Sequence, residues 1–393
     1  MSGDEAMADF YSVQRIVFGR GEVKRVPELA RQFGKRVLVV ANGPEGNVSR
    51  LEEKLGAAGM SVISRRQKGE PTVSDVDGAT DFAREHGSEV VIGFGGGSAI
   101  DAAKAVAMLL TNRGSALDYL EVVGLGKKIE KPAAPWIAVP CTAGTGAEAT
   151  RNAVVSLPEK KFKASLRSEG MLPRAAVIDA ELGVGVPGDV TARSGMDALC
   201  QCIEAYTSNG ASALTDPLAL EGITRAGRSL ARAVEDGGDI EAREDMALAA
   251  LLSGMALTNA GLGAVHGFAA AMGAAFPAPH GTICAALLAP VMVANIAALG
   301  ASDPAHPVLL RYARIGRVLA DAQIDNERAA MKMGAVFVRG LCERLAIPSL
   351  AEFGVTERDV PEIVAAAQKS SSMRYNPVVL SAETLGVVLR EAL

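Results

Sequence analysis

The sequence is poor in aromatic residues and has no excess of positive charge. Aromatic residues make up 4% of its 393 residues, and a single tryptophan is present. Proteins that bind nucleic acid stack bases on aromatic side chains and neutralise phosphates with many Lys and Arg residues. This chain, with a net charge of −5 at pH 7, meets neither requirement, and we expect no nucleic-acid partner.

The sequence also has few cysteines and no recognisable secretion signal. The five cysteines include no CxxC pair. The N-terminal segment MSGDEAMADF is acidic and has no apolar stretch of the kind that a secretory signal contains. An odd number of cysteines without such a signal is typical of reduced thiols. We therefore expect a cytoplasmic protein.

Charge is absent from one long stretch, because no Asp, Glu, Lys or Arg occurs between Met246 and Ser302. A membrane-spanning helix needs about 20 uninterrupted apolar residues. Here Gly, Asn, Pro and two histidines interrupt the stretch, and Ala and Gly dominate it. The pattern favours the buried helices of a large folded domain over a transmembrane segment, and we expect no membrane partner.

The first half of the chain alternates short apolar runs with helical segments. KRVLVVAN, SVIS, EVVIGF, WIAVPCT and AAVIDAEL predict strands, and residues 11–19 predict an edge strand or a hairpin arm. This alternation is typical of a parallel α/β sheet. After residues 186–189, Ala/Leu/Met-rich helical stretches continue to Leu393. We expect an α/β domain over residues 1–185 and an all-helical domain over residues 186–393.

A glycine-rich turn joins a predicted strand to a helix in EVVIGFGGGSAIDAAKA. Glycines 95–97 have no Cβ, so their backbone can adopt positive φ and approach a phosphate closely. Ser98 is the expected helix N-cap, and Asp101 and Lys104 lie in the first turns. The alternative is a tight turn that binds nothing, since the string lacks the complete dinucleotide fingerprint.

A second polar loop, PCTAGTGAEAT at residues 140–150, follows the next predicted strand. It carries Thr142 and Thr145 together with flexible glycine amides. Ligands of open α/β sheets bind at the carboxyl ends of the strands. Two such loops at one edge of the sheet favour a nucleotide.

A third group of polar residues has the side chains of a metal site. Asp197 and Gln201 lie one helical turn apart, so they share a helix face. His266 and His280 lie inside the uncharged stretch. A divalent cation accepts carboxylate, amide and imidazole ligands, whereas the alternative is a pair of core histidines bonded to the backbone. An unpaired carboxylate is costly in apolar surroundings, so Asp197 favours the metal.

Four motifs together resemble, in order and spacing, the iron-containing (group III) alcohol dehydrogenases: GFGGGSAIDAAKA, PCTAGTGAEAT, SGMDALCQCIEAY and VHGFAAAMGAAFPAPHG. The resemblance implies the dehydroquinate synthase-like architecture. In that architecture an α/β dinucleotide-binding domain precedes an all-helical domain for metal and substrate. It also implies NAD(P) and a divalent metal, Fe2+ or Zn2+, in the cleft between the domains.

The resemblance assigns roles to matching residues. Those expected at the cofactor are Asn42, Gly95, Gly96, Gly97, Ser98, Asp101, Thr142, Thr145 and Lys163. Those expected at the metal are Asp197, Gln201, His266 and His280, and the residues expected in catalysis are His280 and Lys163.

Several positions depart from the family pattern. Gln201 stands where the family has a histidine ligand, and Ala270 stands where it usually has a further histidine. Cys141 and Ala147 alter the second loop. Asn42 stands at the end of a strand where an acidic residue would select NAD over NADP. The sequence therefore leaves the choice of cofactor open.

The function that these observations predict is hydride transfer between NAD(P) and a small alcohol, aldehyde or ketone, with a metal polarising the carbonyl. Alternatives are a metal-independent reductase of oxo acids, like maleylacetate reductases, and a zinc-dependent polyol dehydrogenase. In the first, Arg151, Lys163 and Arg167 would bind a substrate carboxylate. Another class is a nucleotide-binding protein whose catalytic site has decayed. We expect a homodimer.

Overall fold

The alternating segments of the first half fold into strands and helices much as predicted. The computed structural model describes residues 9–160, 162–273 and 275–393. In chain order the strands are β1 Ile16–Phe18, β2 Arg36–Ala41, β3 Ser61–Arg66, β4 Val90–Gly95, β5 Trp136–Pro140, β6 Asn152–Leu157, β7 Phe162–Arg167 and β8 Ala175–Ile178. The helices among them are α1 Val26–Arg31, α2 Glu45–Ala57, α3 Val73–Glu85, α4 Gly97–Thr111 and α5 Ala116–Tyr119.

Six of these strands form a sheet in the order β1-β8-β5-β4-β2-β3, and all of its neighbouring strands are parallel. Alternate residues of β2 and β4 enter two different apolar clusters, one with helices α3 and α4 and the other with α1 and α2. Burial on both faces explains why these strands are continuous apolar runs in the sequence. The predicted parallel α/β sheet is confirmed, with β1 as an edge strand and not a hairpin arm.

The second half is helical throughout the residues that the structure describes. Its α-helices are α6 Gly188–Thr207, α7 Thr215–Glu235, α8 Ile240–Ala260, α9 Ala264–Met272, α10 His280–Ser302, α11 Pro307–Ala320, α12 Glu327–Arg344, α13 Val360–Gln368 and α14 Ala382–Arg390. They surround one apolar core of their own. The predicted boundary between residues 185 and 186 falls in the connection that enters α6.

Helix α10 contains the most apolar part of the uncharged stretch. By length and composition it could cross a membrane, with a mean hydropathy of 2.1, but 61% of its most apolar window is buried inside the fold. It packs against helices α6, α9 and α12. This is the environment of a core helix in a folded domain.

An antiparallel hairpin, which the sequence did not reveal, lies between β5 and β8 in the chain. Strands β6 and β7 pair from Asn152 opposite Arg167 to Leu157 opposite Phe162. The hairpin lies over helix α4, where Asp101 accepts a hydrogen bond of 3.0 Å from the backbone N–H of Val154. Lys163 and Arg167 are therefore residues of strand β7.

Lys104 holds this hairpin to the sheet. Its side chain is completely buried, and its ammonium donates to the carbonyls of Ala147 and Asn152 and to the hydroxyl of Thr150, at 2.6–2.8 Å. The Asp101 carboxylate lies 3.6 Å away. A buried ammonium is tolerated because its three protons find acceptors and a negative charge is near.

The two domains meet at a contact between glycines. Gly146 adopts φ +60°, and a Cβ at this position would lie 2.5 Å from the Cα of Gly254 in helix α8. Thr258 in the same helix donates 3.0 Å to the carbonyl of Ala149. The loop after β5 therefore lies directly on the backbone of the helical domain.

Replacing Lys104 by methionine should destabilise the first domain. The change leaves two carbonyls and a carboxylate without their buried partner, which we expect to cost about 2–4 kcal/mol. Urea unfolding followed by the fluorescence of Trp136 measures this, because Trp136 is the only tryptophan and lies in β5. The control is Lys24→Met, whose side chain is 64% exposed. Equal stability of the two variants would contradict the assigned role.

Candidate functional site

The glycine turn lies where the order of the strands reverses. The chain runs from β2 outward to the edge strand β3 and returns on the other side of β2 at β4. Ligands of open α/β sheets bind in the crevice at the carboxyl ends of the two strands that flank such a point. Asn42 follows β2, and Gly96 follows β4. The fold thus places both predicted cofactor residues at the expected crevice.

The turn has the backbone conformation that a close phosphate approach requires, although its details differ from the prediction. Gly95 has φ +142°, and a Cβ there would overlap Asn42. Helix α4 starts at Gly97 with Gly96 in the cap position and without a side-chain cap. Ser98 was therefore wrongly predicted as the N-cap, because the helix begins two residues earlier. The N-terminal N–H groups of a helix favour an anion.

Asn42 braces the turn instead of pointing freely into the crevice. Its Oδ1 accepts a hydrogen bond of 2.7 Å from the backbone N–H of Gly96. Its own backbone N–H donates to the carbonyl of Phe94 at 3.2 Å. The amide therefore helps to hold β2 and the glycine turn together.

The second loop packs against the glycine turn as the sequence predicted. A Cβ on Gly96 would lie 3.3 Å from Thr142 Oγ1, and a Cβ on Gly97 would lie 2.8 Å from Thr145 Oγ1. On its other side the loop contacts helix α6, since a Cβ on Gly144 would lie 2.6 Å from the Cβ of Ser194. One loop therefore touches both the turn and the helix that carries Asp197.

Each of the three basic residues suggested as ligands of a substrate carboxylate pairs with a carboxylate of the protein itself. Lys163 lies 2.5 Å from Glu70, and Arg167 lies 2.9 Å from Glu121. The guanidinium of Arg151 lies 4.0 Å from Glu169 and covers the ring of Tyr11. These contacts account for the charges without a substrate carboxylate.

The predicted metal residues converge at the junction of helices α6, α9 and α10. The Oδ1 atom of Asp197 lies 3.3 Å from Nε2 of His266 and 3.7 Å from Nε2 of His280. The two imidazole rings are 5.3 Å apart between centroids. Asp197 and His266 are buried, whereas the side chain of His280 is 41% exposed. The exposed edge of His280 is thus the side from which solvent reaches the cluster.

Glu204, which sequence reasoning missed, fixes the orientation of His266. Its Oε2 lies 2.5 Å from Nδ1 of His266, and its Oε1 accepts 2.8 Å from the backbone N–H of Val265. A carboxylate on one ring nitrogen directs the other nitrogen toward a metal. The signal was present, because Glu204 lies two helical turns after Asp197 on the same face of α6.

Cys284 is the second missed member of the cluster. Its sulfur lies 3.6 Å from Nε2 of His280 and 3.8 Å from Nε2 of His266. One donor atom from each of Asp197, His266, His280 and Cys284 lies within 4.8 Å of the others. Cys284 stands one helical turn after His280 in α10, so the spacing itself indicated a shared face.

Gln201 is buried on the same helix as Asp197, and its amide contacts helix α8. Its Oε1 accepts a hydrogen bond of 2.8 Å from the hydroxyl of Ser253. Ser253 is also 2.8 Å from the carbonyl of Ala250. The amide of Gln201 is therefore attached to α8 through Ser253, and its role as a ligand stays a prediction.

The cluster shifts the protonation of its own members. Burial raises the pKa of the Cys284 thiol, but its hydrogen bond with Cys200 and the two imidazoles outweigh burial and hold that pKa well below its usual range. The negative sulfur of Cys284 in turn raises the pKa of His280 to about 9. The imidazole of His280 and the sulfur of Cys284 thus stabilise each other's charged form.

These residues fit a divalent cation. Asp197 Oδ1 is buried and has no hydrogen-bond partner among the described residues, and such an orphaned carboxylate oxygen costs free energy unless a cation or donor satisfies it. Carboxylate, imidazole and thiolate are the donors that zinc and related metals take. The core-histidine alternative leaves this oxygen unexplained.

A buried carboxyl lies beneath the second loop. Glu148, 3% exposed, lines a narrow cavity together with Thr142, Asp179 and Arg243 at the ends of β5 and β8. Burial raises the pKa of Glu148 from 4.5 to about 7. Its protonation therefore changes near neutral pH, close to the cofactor crevice.

Two family profiles of known proteins together match nearly the whole chain. The family profile described as "Iron-containing alcohol dehydrogenase" matches residues 13–180. The profile described as "Fe-containing alcohol dehydrogenase family, C-terminal" matches residues 191–393.

Individual relatives agree with these matches. The probable alcohol dehydrogenase EutG of Escherichia coli (strain K12) is 38% identical over 373 residues, which cover 93% of this chain and 90% of the relative. The NAD-dependent methanol dehydrogenase of Bacillus methanolicus is 32% identical over 395 residues, covering 98% and 100%. The crystal structure of a 1,3-propanediol oxidoreductase superposes with a TM-score of 0.91 at 30% identity, covering 98% of this chain and 100% of that one.

The variant Gly97→Ala tests the cofactor crevice. Its Cβ would crowd Thr145 at 2.8 Å and occupy the space through which a pyrophosphate approaches the helix. We expect the Kd for NADH to rise about tenfold or more, a loss of at least about 1.4 kcal/mol, with an unchanged metal content. Isothermal titration measures the affinity. The control is Gly56→Ala, because nothing lies within 4 Å of a Cβ there. Equal affinities of the two variants for NADH would argue against cofactor binding at the crevice.

The raised pKa of Glu148 predicts a pH dependence of stability. The folded state binds this proton more tightly, so the stabilisation is complete below pH 4.5 and is lost as the pH rises through about 7. We expect the wild type to lose about 2–3 kcal/mol more than Glu148→Gln between pH 5 and pH 8. Urea unfolding at both pH values measures the difference, and parallel pH profiles would show that Glu148 does not titrate as described.

Proposed function

The chain belongs to the iron-containing alcohol dehydrogenase family, and from that premise we propose an oxidoreductase acting on a small alcohol or carbonyl compound. It interconverts an alcohol with an aldehyde or ketone, using NAD and a divalent metal. The observation that carries the proposal is the loop formed by residues 141–146. It packs on the glycine turn on one side and on helix α6, with Asp197, on the other. This loop would therefore bring a dinucleotide bound at the turn close to a substrate bound at the cluster.

The metal would be held by Asp197, His266 and His280. Gln201 is the fourth ligand that the sequence predicted, and its Oε1 accepts a hydrogen bond from Ser253 in the structure. When bound, the two groups supply the chemistry: a divalent cation acts as a Lewis acid on the substrate oxygen, and nicotinamide exchanges a hydride with the substrate carbon. Glu204 keeps Nε2 of His266 directed at the metal by accepting at Nδ1.

The proton of the alcohol would leave the cluster on its solvent-exposed side. Position 270 is alanine, so the histidine relay of the family is absent. His280 has the most exposed side chain of the three proposed ligands, and the alcohol proton would leave past it into solvent. Lys163 would act beside the cofactor. Its ammonium lies 2.5 Å from the carboxylate of Glu70.

Both nicotinamide cofactors are compatible with the crevice. Asn42 is a neutral amide whose Oδ1 accepts from the backbone N–H of Gly96, so this side chain does not repel a 2′-phosphate. Arg66 lies at the end of the neighbouring strand β3, donates 2.9 Å to the carbonyl of Gly43 and lies 3.5 Å from the carboxylate of Glu45. On release from Glu45 it would pair with that phosphate. We propose NAD with NADP as an accepted second cofactor. The enzyme would act in the cytoplasm as a homodimer.

Turnover of a carbonyl panel tests the proposed function. NADH and NADPH oxidation is measured with short aldehydes, ketones and oxo acids, before and after removal of metal by a chelator. We expect activity with aldehydes or ketones that falls by about 1000-fold or more without metal, because a Lewis acid contributes several kcal/mol to the rate.

The matched variant is Asp197→Asn, which keeps the size of the side chain and removes its charge. It should reproduce the effect of the chelator while leaving NADH binding unchanged. Full activity of the metal-free protein on oxo acids would identify the metal-independent reductase instead. No oxidation of either cofactor with any carbonyl would indicate a nucleotide-binding protein without this activity.

A further inference from the structure

We propose that the sulfur of Cys284 is the fourth protein ligand of the metal, in the position that the sequence assigned to Gln201. The inference rests on the proposed function and deepens it, because it defines the donor set of the same site. A carboxylate, two imidazoles and a thiolate would then bind the cation.

Four of the six distances between the donor atoms are close to those of a tetrahedron around a metal. Zinc binds nitrogen and oxygen at about 2.0–2.1 Å and sulfur at about 2.3 Å, which places tetrahedral ligand atoms roughly 3.3–3.6 Å apart. The sulfur of Cys284 lies 3.6 Å and 3.8 Å from the two imidazole nitrogens. Asp197 Oδ1 lies 3.3 Å and 3.7 Å from the same nitrogens. The four atoms therefore need little movement to enclose a cation.

Helix α10 presents two of these donors on one rigid face. His280 is its first residue, and Cys284 follows one turn later. Both side chains point toward Asp197 and His266, which come from helices α6 and α9. The pair is thus held by the backbone of a single helix, and its separation does not depend on a loop.

Gln201 is less suited to the fourth position. Its Oε1 accepts a hydrogen bond from Ser253 at 2.8 Å, which directs this oxygen toward helix α8. A neutral amide oxygen also competes poorly with a thiolate for zinc. Cys284 would supply the fourth donor in place of the amide of Gln201.

The other thiols of the chain have different surroundings. Cys342 donates 3.4 Å to the carbonyl of Ala285, and a Cβ on Gly222 would overlap the sulfur of Cys202. Cys200 lies 4.0 Å from His266, but on the Nδ1 side of the ring that Glu204 occupies. Cys284 is the cysteine placed on the Nε2 side of both imidazoles.

Sulfur in the donor set changes the metal that the site should prefer. Binding forms a sulfur–metal bond at Cys284, and the proton that the Cys284–His280 pair holds is released to solvent. Thiolate is a soft ligand that favours zinc or cobalt over magnesium and manganese, which prefer oxygen. The chain should therefore retain zinc more tightly than a site built of histidine and carboxylate alone.

X-ray absorption at the zinc edge tests the ligand directly. The full-length protein is loaded with zinc and kept reduced with a phosphine, because a thiol reductant would itself supply sulfur. We expect one sulfur at about 2.3 Å together with nitrogen and oxygen at about 2.0–2.1 Å. A wild-type spectrum with nitrogen and oxygen only would overturn the proposal without any variant.

Three variants separate Cys284 from its neighbours. Cys284→Ser should lose the sulfur signal and weaken zinc binding about 100-fold, measured by competition with a chelating dye. Cys200→Ser removes the nearest other sulfur, and Gln201→Ala removes the rival ligand; both should keep the sulfur signal. A sulfur signal that persists in Cys284→Ser, or disappears in Cys200→Ser, would contradict the assignment.

The outcome is independent of turnover. Activity with a metal that has no sulfur ligand would leave the proposed function intact and refute Cys284 as a ligand. A zinc–sulfur bond in a protein that turns over no carbonyl compound would support Cys284 and refute the proposed function.

Discussion

The backbone of Gly146 lies against the backbone of Gly254, and the arrangement of the whole site depends on this contact. A side chain at either position would overlap the other residue, so glycine at both positions is required for the loop after β5 to lie this close to helix α8. The same loop touches the glycine turn through Thr145 and helix α6 through Ser194. Two residues without side chains therefore set the distance between the cofactor crevice and the metal cluster.

The parts of the fold that the sequence predicted are those with a strong, uniform signal. Parallel strands such as β4 are buried on both faces and appear as unbroken apolar runs. The hairpin of β6 and β7 was missed because its strands, NAVVSL and FKASLR, mix polar with apolar residues and contain no long apolar run. Ser98 was misplaced because glycines, which cap without a side chain, start helix α4 earlier than expected.

The candidate site was predictable only in part, for a related reason. Asp197, His266 and His280 stood out because charge and histidine are rare around them, and the structure brings them together. The contact of Glu204 with His266 depends on how α9 packs on α6 after a 97° bend from α8. No local pattern specifies that angle. Cys284, one turn after His280, could have been found by applying helical spacing to the thiols.

Helix starts surround the buried carboxylates of the site. Helix α9 begins where the N–H of Val265 donates to Glu204, and helix α10 begins at His280 beside Asp197. The positive ends of two helices from the uncharged stretch thus lie beside two carboxylates of helix α6 and offset their negative charge. Peptide dipoles do not titrate and cannot swing away as a lysine can. The contribution of these helix dipoles to the site therefore does not change with pH while the protein is folded.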